Sequence, residues 1–110
     1  MLISTTEHIP GYEVIELLDI VRGSTVRARH VGRDIMAGFK NMVGGEIRSY
    51  TELMADAREQ AMQRMIADAD HLGADAVVCV RFVTAQVMQG ASELLCYGSA
   101  VKIKRAEELV

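Results

Sequence analysis

Polar and apolar residues alternate along the stretch from Ser24 to His30, which is typical of a β-strand with two different faces. One face carries Thr25, Arg27 and Arg29, and the other carries Val26, Ala28 and His30. The preceding stretch, Tyr12–Val21, fits a helix as well as a strand. We predict a strand, because Gly11 and Gly23 flank this stretch and it leads into the alternating one. Gly23 would then mark a bulge in one long, bent strand.

A long amphipathic helix is predicted from Ser49 to Leu72. Ser49 and Glu52 have the S-x-x-E spacing of a capping box, and Gly73 stands where a left-handed residue ends many helices. At 1.5 Å per residue the helix would be about 35 Å long. Its apolar side chains, placed at about 100° per residue, form a wide stripe. They are Tyr50, Leu53, Met54, Ala55, Ala57, Ala61, Met62, Met65, Ile66, Ala69 and Leu72.

This apolar stripe spans an arc of roughly 200°, about twice what a helix needs in order to pack on one sheet. The surplus predicts a second partner, most simply a neighbouring subunit, although Ala and Met also occur in helices simply because they are good helix formers. Three charged residues interrupt the arc. Arg64 and Asp68 are four residues apart and are predicted to form a surface ion pair. For Arg58 a surface role and a pocket-lining role both remain open.

The remaining stretches complete a pattern of strands, then helices, then strands. Leu2–Thr5 predicts a short strand and Val31–Val43 a short amphipathic helix. Ala76–Met88 and Ser92–Lys104 predict a hairpin that turns at Gln89-Gly90-Ala91. This order favours an α+β fold, in which a mainly antiparallel sheet packs against one long and one short helix.

The bulk composition narrows the class of protein. A chain of 110 residues that is 50% apolar is expected to form one domain. Its 12 basic and 15 acidic residues are interspersed and give a net charge of −3, which argues against a nucleic-acid-binding surface. We expect no secretory signal, because Met1–Pro10 lacks a basic region followed by an apolar run. We expect no membrane span either, because no stretch approaches about 20 uninterrupted apolar residues. Two cysteines in this context indicate the reducing cytoplasm.

Short blocks, most of them containing glycine or arginine, follow one another in an order that is shared with a known family. They are Ile9-Pro10-Gly11-Tyr12, Val21-Arg22-Gly23, Arg33-Asp34, Gly44-Gly45-Glu46, Ala57-Arg58, Gly73-Ala74-Asp75-Ala76-Val77-Val78, Arg81-Phe82 and Tyr97-Gly98-Ser99-Ala100-Val101. In these blocks the chain resembles the YbjQ-like family of small bacterial proteins, over essentially its whole length. The resemblance implies a single YbjQ-like domain over residues 1–110, with a dodecin-like subunit assembled as a homopentamer. The family bears a heavy-metal-binding label without an established activity, so the resemblance leaves the function open.

The heavy-metal label directs attention to the possible metal ligands of the chain. They are His8, His30, His71, Cys79 and Cys96. No two of them have the C-x-x-C or H-x-x-x-H spacing of a metal site. A hairpin that turns at Gly90 would place the two cysteines about 17 Å apart, too far to share a metal or form a disulfide within one subunit. We therefore interpret both cysteines as buried strand residues. A divalent metal would instead bind at an oligomer axis, within a ring of symmetry-related residues.

Four polar residues form the candidate ligand-binding set, namely Glu46, Tyr50, Arg58 and Arg81. Arg81 stands in an otherwise apolar strand and needs a partner there, for which Glu46 or another acid is the candidate. The set is either a structural ion pair at a subunit boundary or a polar pocket between subunits for a charged metabolite. The Gly44-Gly45 pair fits the turn that enters the long helix better than an anion site, because Glu46 adds a negative charge.

The sequence thus favours a cytosolic, homo-oligomeric binding or scaffold protein, pentameric according to the resemblance, with a metal or small-ligand site. An enzyme with its site at a subunit interface is the alternative, although no Ser/His/Asp or Cys/His arrangement has supporting sequence context. A purely structural adaptor for another protein is the third hypothesis. The expected partners are other copies of the chain, rather than nucleic acid or a membrane.

Overall fold

A four-stranded mixed sheet carries a long helix on one face in the computed structural model, which describes residues 1–28, 45–89 and 91–109. The described elements are β1 (Leu2–Ile3), β2 (Tyr12–Ala28), α1 (Gly45–His71), β3 (Ala76–Met88), β4 (Ala91–Arg105) and a 3₁₀ helix (Ala106–Leu109). The α+β class and the hairpin of β3 and β4 are confirmed. The short helix predicted over Val31–Val43 lies outside the described residues.

The strands lie in the order β1-β3-β4-β2. Both β2 and β3 run antiparallel to β4, whereas β1 runs parallel to β3 through the pairs Leu2↔Ala76 and Ile3↔Val77. The sheet is therefore mixed, and the antiparallel prediction holds for its three long strands. Within the described residues, β2 forms one edge of the sheet.

The long strand β2 bends at two register shifts, one between Val14 and Glu16 and the other between Leu17 and Asp19. The bulge predicted at Gly23 is wrong, since this residue pairs regularly with β4. The bend therefore lies in the stretch of mixed periodicity that precedes the alternating half of the strand.

Gly23 has a packing role instead. A Cβ atom at this position would overlap the carbonyl oxygen of Ala61 and the amide nitrogen of Met65, and would lie 2.7 Å from the Cβ of Arg64. The backbones of β2 and α1 thus approach each other more closely than any residue with a side chain would allow. This contact sets the position of the helix on the sheet.

Two charged side chains of α1 fix β2 on either side of Gly23. The guanidinium of Arg64 donates to the carbonyl oxygen of Ser24, and the carboxylate of Asp68 accepts from the backbone N–H of Arg22 at 3.2 Å. The predicted ion pair between Arg64 and Asp68 is wrong, because each side chain meets backbone groups of the edge strand instead. The helix therefore caps the edge of β2 at residues 22–24.

The helix starts at Gly45, four residues before the start predicted at Ser49. The capping-box prediction is wrong, because Ser49 already lies within the helix. The earlier start places Glu46 in the first turn of α1.

The predicted end of the helix is confirmed. Gly73 has a φ of 73°, its N–H donates to the carbonyl of Asp70 at 3.0 Å, and the N–H of Ala74 donates to the carbonyl of Ala69 at 3.1 Å. These two bonds form a Schellman motif, in which glycine adopts the left-handed conformation without steric cost. The chain then turns directly into β3.

The main core lies between α1 and the sheet. Four helix residues at a spacing of four are fully buried, and they are Ala57, Ala61, Met65 and Ala69. They pack mainly on β2 and β4, against Val21, Cys96 and Ala100. The buried stripe is narrower than the predicted arc, since Ala55 is exposed and Leu72 is 42% exposed, while the side chains of Tyr50 and Leu53 lie outside the described part. The second partner of the helix therefore stays a prediction.

A second, smaller core lies beneath the N-terminal segment. Ala76, Val78 and Val101 are buried there, and Ile9 packs against them. Ile9 also starts a β-turn: the N–H of Tyr12 donates to the carbonyl of Ile9 at 3.0 Å, and Gly11 has a φ of 86°. Pro10 and Gly11 occupy the positions that a type II turn favours for these two residues.

Candidate functional site

An irregularity in β3 joins this strand to the N-terminal segment. The pairing of β3 with β4 shifts register between Val78 and Arg81, and Cys79 between them has a φ of 57°. The N–H groups of Cys79 and Val80 are bonded to the carbonyls of Thr6 and Ser4, at 3.2 and 3.0 Å. The N-terminal segment therefore holds the bulge in place through the backbone.

Arg81 completes this junction through two backbone carbonyls. Its guanidinium donates to the carbonyl oxygens of Thr5 at 2.7 Å and Val80 at 2.9 Å. Two backbone carbonyls thus supply the partner that a charged group in an apolar strand requires. These contacts give Arg81 a structural role. The side chain of Glu46 lies outside the described part, so the predicted pair with Glu46 stays a prediction.

The rest of the predicted polar set is not brought together in the described part of the chain. Arg58 lies exposed on α1, which packs mainly on β2 and β4 rather than on the strand of Arg81. Glu46 and Tyr50 lie in the first turns of the same helix, but their side chains are outside the described part. The ligand-binding role of the set therefore stays a prediction.

We expect Arg81→Met to destabilise the protein by about 1–2 kcal/mol, because it removes two charge-assisted hydrogen bonds to the N-terminal segment and the bulge. Urea unfolding measures this loss. Arg105→Met is the matched control, since Arg105 makes only an exposed ion pair with Glu107 at 3.7 Å and should change stability by less than about 0.5 kcal/mol. Equal losses of stability in the two variants would contradict the role of Arg81 in holding the N-terminal segment on β3.

The two cysteines belong to different faces of the sheet. Cys96 is fully buried in the main core, where its Sγ lies 3.6 Å from the Sδ of Met65. Cys79 is half-buried and packs against the smaller core. Both thiols are free, and burial raises the pKa of the Cys96 thiol. The buried-strand interpretation is thus confirmed for Cys96, whereas Cys79 is only partly covered.

The register of the hairpin differs from the predicted one. Cys96 pairs with Phe82 instead of a position near 84, because the strands meet at a turn between Met88 and Ala91. Along β3 this leaves Cys79 three residues from the partner of Cys96, or about 10 Å at 3.4 Å per residue. The cysteines are closer than predicted but lie too far apart for a shared ion.

The described residues of one chain do not fit a heavy-metal site. Among them, no three His, Cys, Asp or Glu side chains are grouped as metal ligands would be. His8 and His71 are both exposed, in the N-terminal segment and the last turn of α1, and His30 lies outside the described residues. Burial raises the pKa of the Cys96 thiol, which disfavours the thiolate form that a metal binds.

An exposed apolar region lies on the N-terminal half of β2. Leu17 is 66% exposed and Ile20 is 59% exposed, and Val14 and Ile15 are also exposed. In the part of the chain that the structure describes, the bonds from α1 to the backbone edge of β2 lie at residues 22–24. The exposed apolar residues precede this capped stretch. We call the stretch from Val14 to Ile20 the open edge. Exposed apolar residues beside unpaired backbone are typical of a surface that pairs with another chain.

A groove next to the open edge lies on the face of the sheet that is turned away from α1. It has a volume of about 240 Å³ and is lined by Ile20, Arg22, Leu95 and Tyr97. Arg22 and Tyr97 are directly opposite each other in the pairing of β2 with β4. None of these four residues is in the set predicted from the sequence. The alternation of side chains around Gly23 was the available sequence signal, because it places Arg22 on the opposite face of the strand from its buried neighbour Val21.

The comparison with known proteins agrees with this fold. The model of the YbjQ family, which is described as "Putative heavy-metal-binding", matches residues 1–104. The chain belongs to the YbjQ family. A UPF0145 protein of Thermosipho africanus is 56% identical to this YbjQ-family chain, over 98% of the chain and 100% of the relative. A UPF0145 protein of Archaeoglobus fulgidus is 60% identical, over 94% of the chain and 96% of the relative.

A solved structure supports the fold of the YbjQ-family chain. It is the crystal structure of a protein with unknown function of the DUF74 family from Pediococcus pentosaceus, with a TM-score of 0.60 and 18% sequence identity. The similarity covers 94% of this chain and 98% of the other. At this identity the match concerns the fold alone. In the described part of the YbjQ-family chain, no helix is long and apolar enough to cross a membrane.

Proposed function

We propose that the protein is a cytoplasmic, homo-oligomeric binding protein whose subunits join through the open edge of β2. The observation that carries this proposal is the coincidence of two features on one stretch of chain. The two most exposed apolar residues of β2, Leu17 and Ile20, lie in the part of the strand that precedes its contacts with Arg64 and Asp68 of α1. A monomer would leave both the apolar side chains and the backbone groups in water, whereas a second chain would cover both.

The sheet offers a complementary edge on its other side. Within the described residues, β1 pairs with β3 only at Ala76 and Val77, and the N-terminal segment bonds to β3 no further than Val80. The outer half of β3, Arg81–Met88, therefore has an open side, and it carries Phe82 and Val83, which are 40% and 42% exposed. Two different open edges on one subunit suit a head-to-tail contact, which forms a ring when the rotation closes. The two edges are compatible with a cyclic homo-oligomer, and the resemblance to the family implies the finer proposal, a homopentamer of dodecin-like subunits.

Leu17→Glu tests the assembly. A carboxylate within an apolar contact is left buried without a partner, so we expect the subunit affinity to fall by more than about a hundredfold and the variant to elute as a monomer. Light scattering after gel filtration measures the mass. Leu109→Glu is the matched control, because Leu109 is 49% exposed in the C-terminal 3₁₀ helix, which is not part of β2. A Leu17→Glu variant with the mass of the wild-type protein would contradict the proposed contact.

Any divalent metal is proposed to bind on the axis of the oligomer, within a ring of symmetry-related residues, since the described residues of one chain do not group as ligands. Calorimetry of metal-free protein with Zn²⁺, Cu²⁺ and Ni²⁺ would then give fewer than one ion per chain, and the Leu17→Glu variant would lose the binding. One ion per chain, retained in that variant, would place the site within a subunit. The absence of heat at micromolar concentrations would remove the metal from the proposal.

A further inference from the structure

The groove on the outer face of the sheet combines one cation with apolar walls. Ile20 and Arg22 line it from β2, and Leu95 and Tyr97 line it from β4. The side chains that alternate with them on these strands, such as Val21 and Cys96, are buried against α1. The groove therefore lies on the opposite face, with a volume of about 240 Å³. A space of this size accepts a molecule smaller than a typical drug, of roughly ten non-hydrogen atoms.

The backbone beneath Arg22 is held firmly. Its N–H is bonded to the carboxylate of Asp68 at 3.2 Å, and the next residue, Gly23, packs directly on the backbone of α1. The side chain of Arg22 consequently starts from a fixed point beside Tyr97. In the described part of the chain, the two ion pairs join Lys102 to Asp75 and Arg105 to Glu107, and neither involves the groove.

From these contacts we propose that the groove binds a small organic anion, a carboxylate attached to a short apolar or aromatic body. The guanidinium of Arg22 would hold the carboxylate, with the hydroxyl of Tyr97 as a second donor, while Ile20 and Leu95 contact the apolar body. Charge complementarity excludes a metal cation as the ligand of this groove, and the apolar walls favour an organic anion over inorganic phosphate. This inference names a ligand class for the proposed binding protein and rests on that proposal, although the groove itself is formed within one chain.

Titration with sodium benzoate, followed in amide NMR spectra, tests the proposal. We expect shifts confined to residues around Ile20, Arg22, Leu95 and Tyr97 at up to about 20 mM benzoate, a range that suits a small ligand of millimolar affinity. Benzyl alcohol, which has the same ring without the charge, should bind at least about tenfold more weakly. Hexanoate should bind like benzoate, because the apolar body needs no specific shape.

Variants separate the role of Arg22 from general charge effects. Arg22→Met should weaken benzoate binding at least about tenfold, and Arg105→Met, which removes an equal charge elsewhere on the surface, should leave it unchanged. If Arg58→Met lost benzoate binding while Arg22→Met kept it, the ligand would bind at the residues predicted from the sequence and not in the groove. Equal binding of benzoate and benzyl alcohol, or no shifts in the groove, would overturn the proposal.

The mass of each variant distinguishes this inference from the proposed assembly. Arg22→Met is expected to keep the oligomeric mass of the wild-type protein while losing benzoate. If benzoate shifts the groove residues only in the dissociated Leu17→Glu variant, a second copy covers the groove and the ligand proposal is wrong. If the wild-type protein is a monomer that binds benzoate in the groove, the assembly fails and the ligand site stands.

Discussion

Gly23→Ala is expected to destabilise the protein by about 3 kcal/mol or more, because the added methyl group overlaps backbone atoms of α1 that have no free rotation with which to yield. Its Cβ would meet the carbonyl oxygen of Ala61 and the amide of Met65, in the middle of the buried helix stripe. Relief requires α1 to move away from β2 as a unit, which would also weaken the hydrogen bonds of Arg64 and Asp68. Urea unfolding followed by far-UV circular dichroism measures the loss.

Gly11→Ala is the control for the general effect of replacing a glycine. Gly11 has a φ of 86° but open space around the position of a Cβ atom, so only backbone strain of about 1–2 kcal/mol is expected there. The comparison separates steric overlap from loss of chain flexibility. If Gly23→Ala were no more destabilising than Gly11→Ala, the close contact between strand and helix would be wrong.

Met65→Ala is the second substitution with a large expected effect, a loss of about 2–5 kcal/mol. Met65 is fully buried and has the largest of the fully buried side chains, and it contacts the thiol of Cys96 at the centre of the main core. The surrounding residues of the stripe are alanines, whose small side chains cannot expand to fill the space. The variant is therefore expected to keep a cavity, and this cavity adds to the loss of stability.

Met65→Leu separates the cavity from the loss of the sulfur contact. Leucine keeps nearly the same apolar volume, so we expect a loss below about 1.5 kcal/mol. Thermal unfolding of both variants gives the comparison. A leucine variant as unstable as the alanine variant would mean that the thioether contact, rather than volume, stabilises this position.

The elements that local chemistry determines could be predicted from the sequence. Gly73 ends the helix because few other residues adopt the left-handed conformation of a Schellman motif, and Pro10-Gly11 specifies its turn for a similar reason. The hairpin of β3 and β4 was also predictable, since two β-rich stretches flank a short polar loop. These predictions depend on a few neighbouring residues, so no knowledge of distant contacts was needed.

Other features depend on contacts between distant parts of the chain and could not be predicted. Gly23 looks like a bulge in the sequence, but its role is set by a helix about 40 residues further on. Arg64 and Asp68 have the spacing of an ion pair, yet each finds stronger partners on the edge of β2. Thr25 is buried against the helix while Val26 is 58% exposed, which reverses the usual assignment of polar and apolar faces.

The candidate site also combines features that the local sequence indicates with features that depend on distant contacts. Arg81 was correctly identified as a charge that needs a partner, but backbone carbonyls of the N-terminal segment supply it, and no pattern of side chains indicates such a contact. Arg22 and Tyr97 become neighbours only through the register of β2 with β4. The pairing is regular from Ile20 to Ala28, but no short pattern in either strand indicates which residues lie opposite each other.

The central claim is that the open edge of β2 joins copies of this chain into a closed ring. The most direct test is the mass of the wild-type protein in solution, measured by light scattering over a dilution from about 100 μM to about 1 μM, where a stable apolar interface should persist. The account predicts a constant mass of five chains of 12.1 kDa each. A constant mass of 12.1 kDa, that of a single chain, would contradict it.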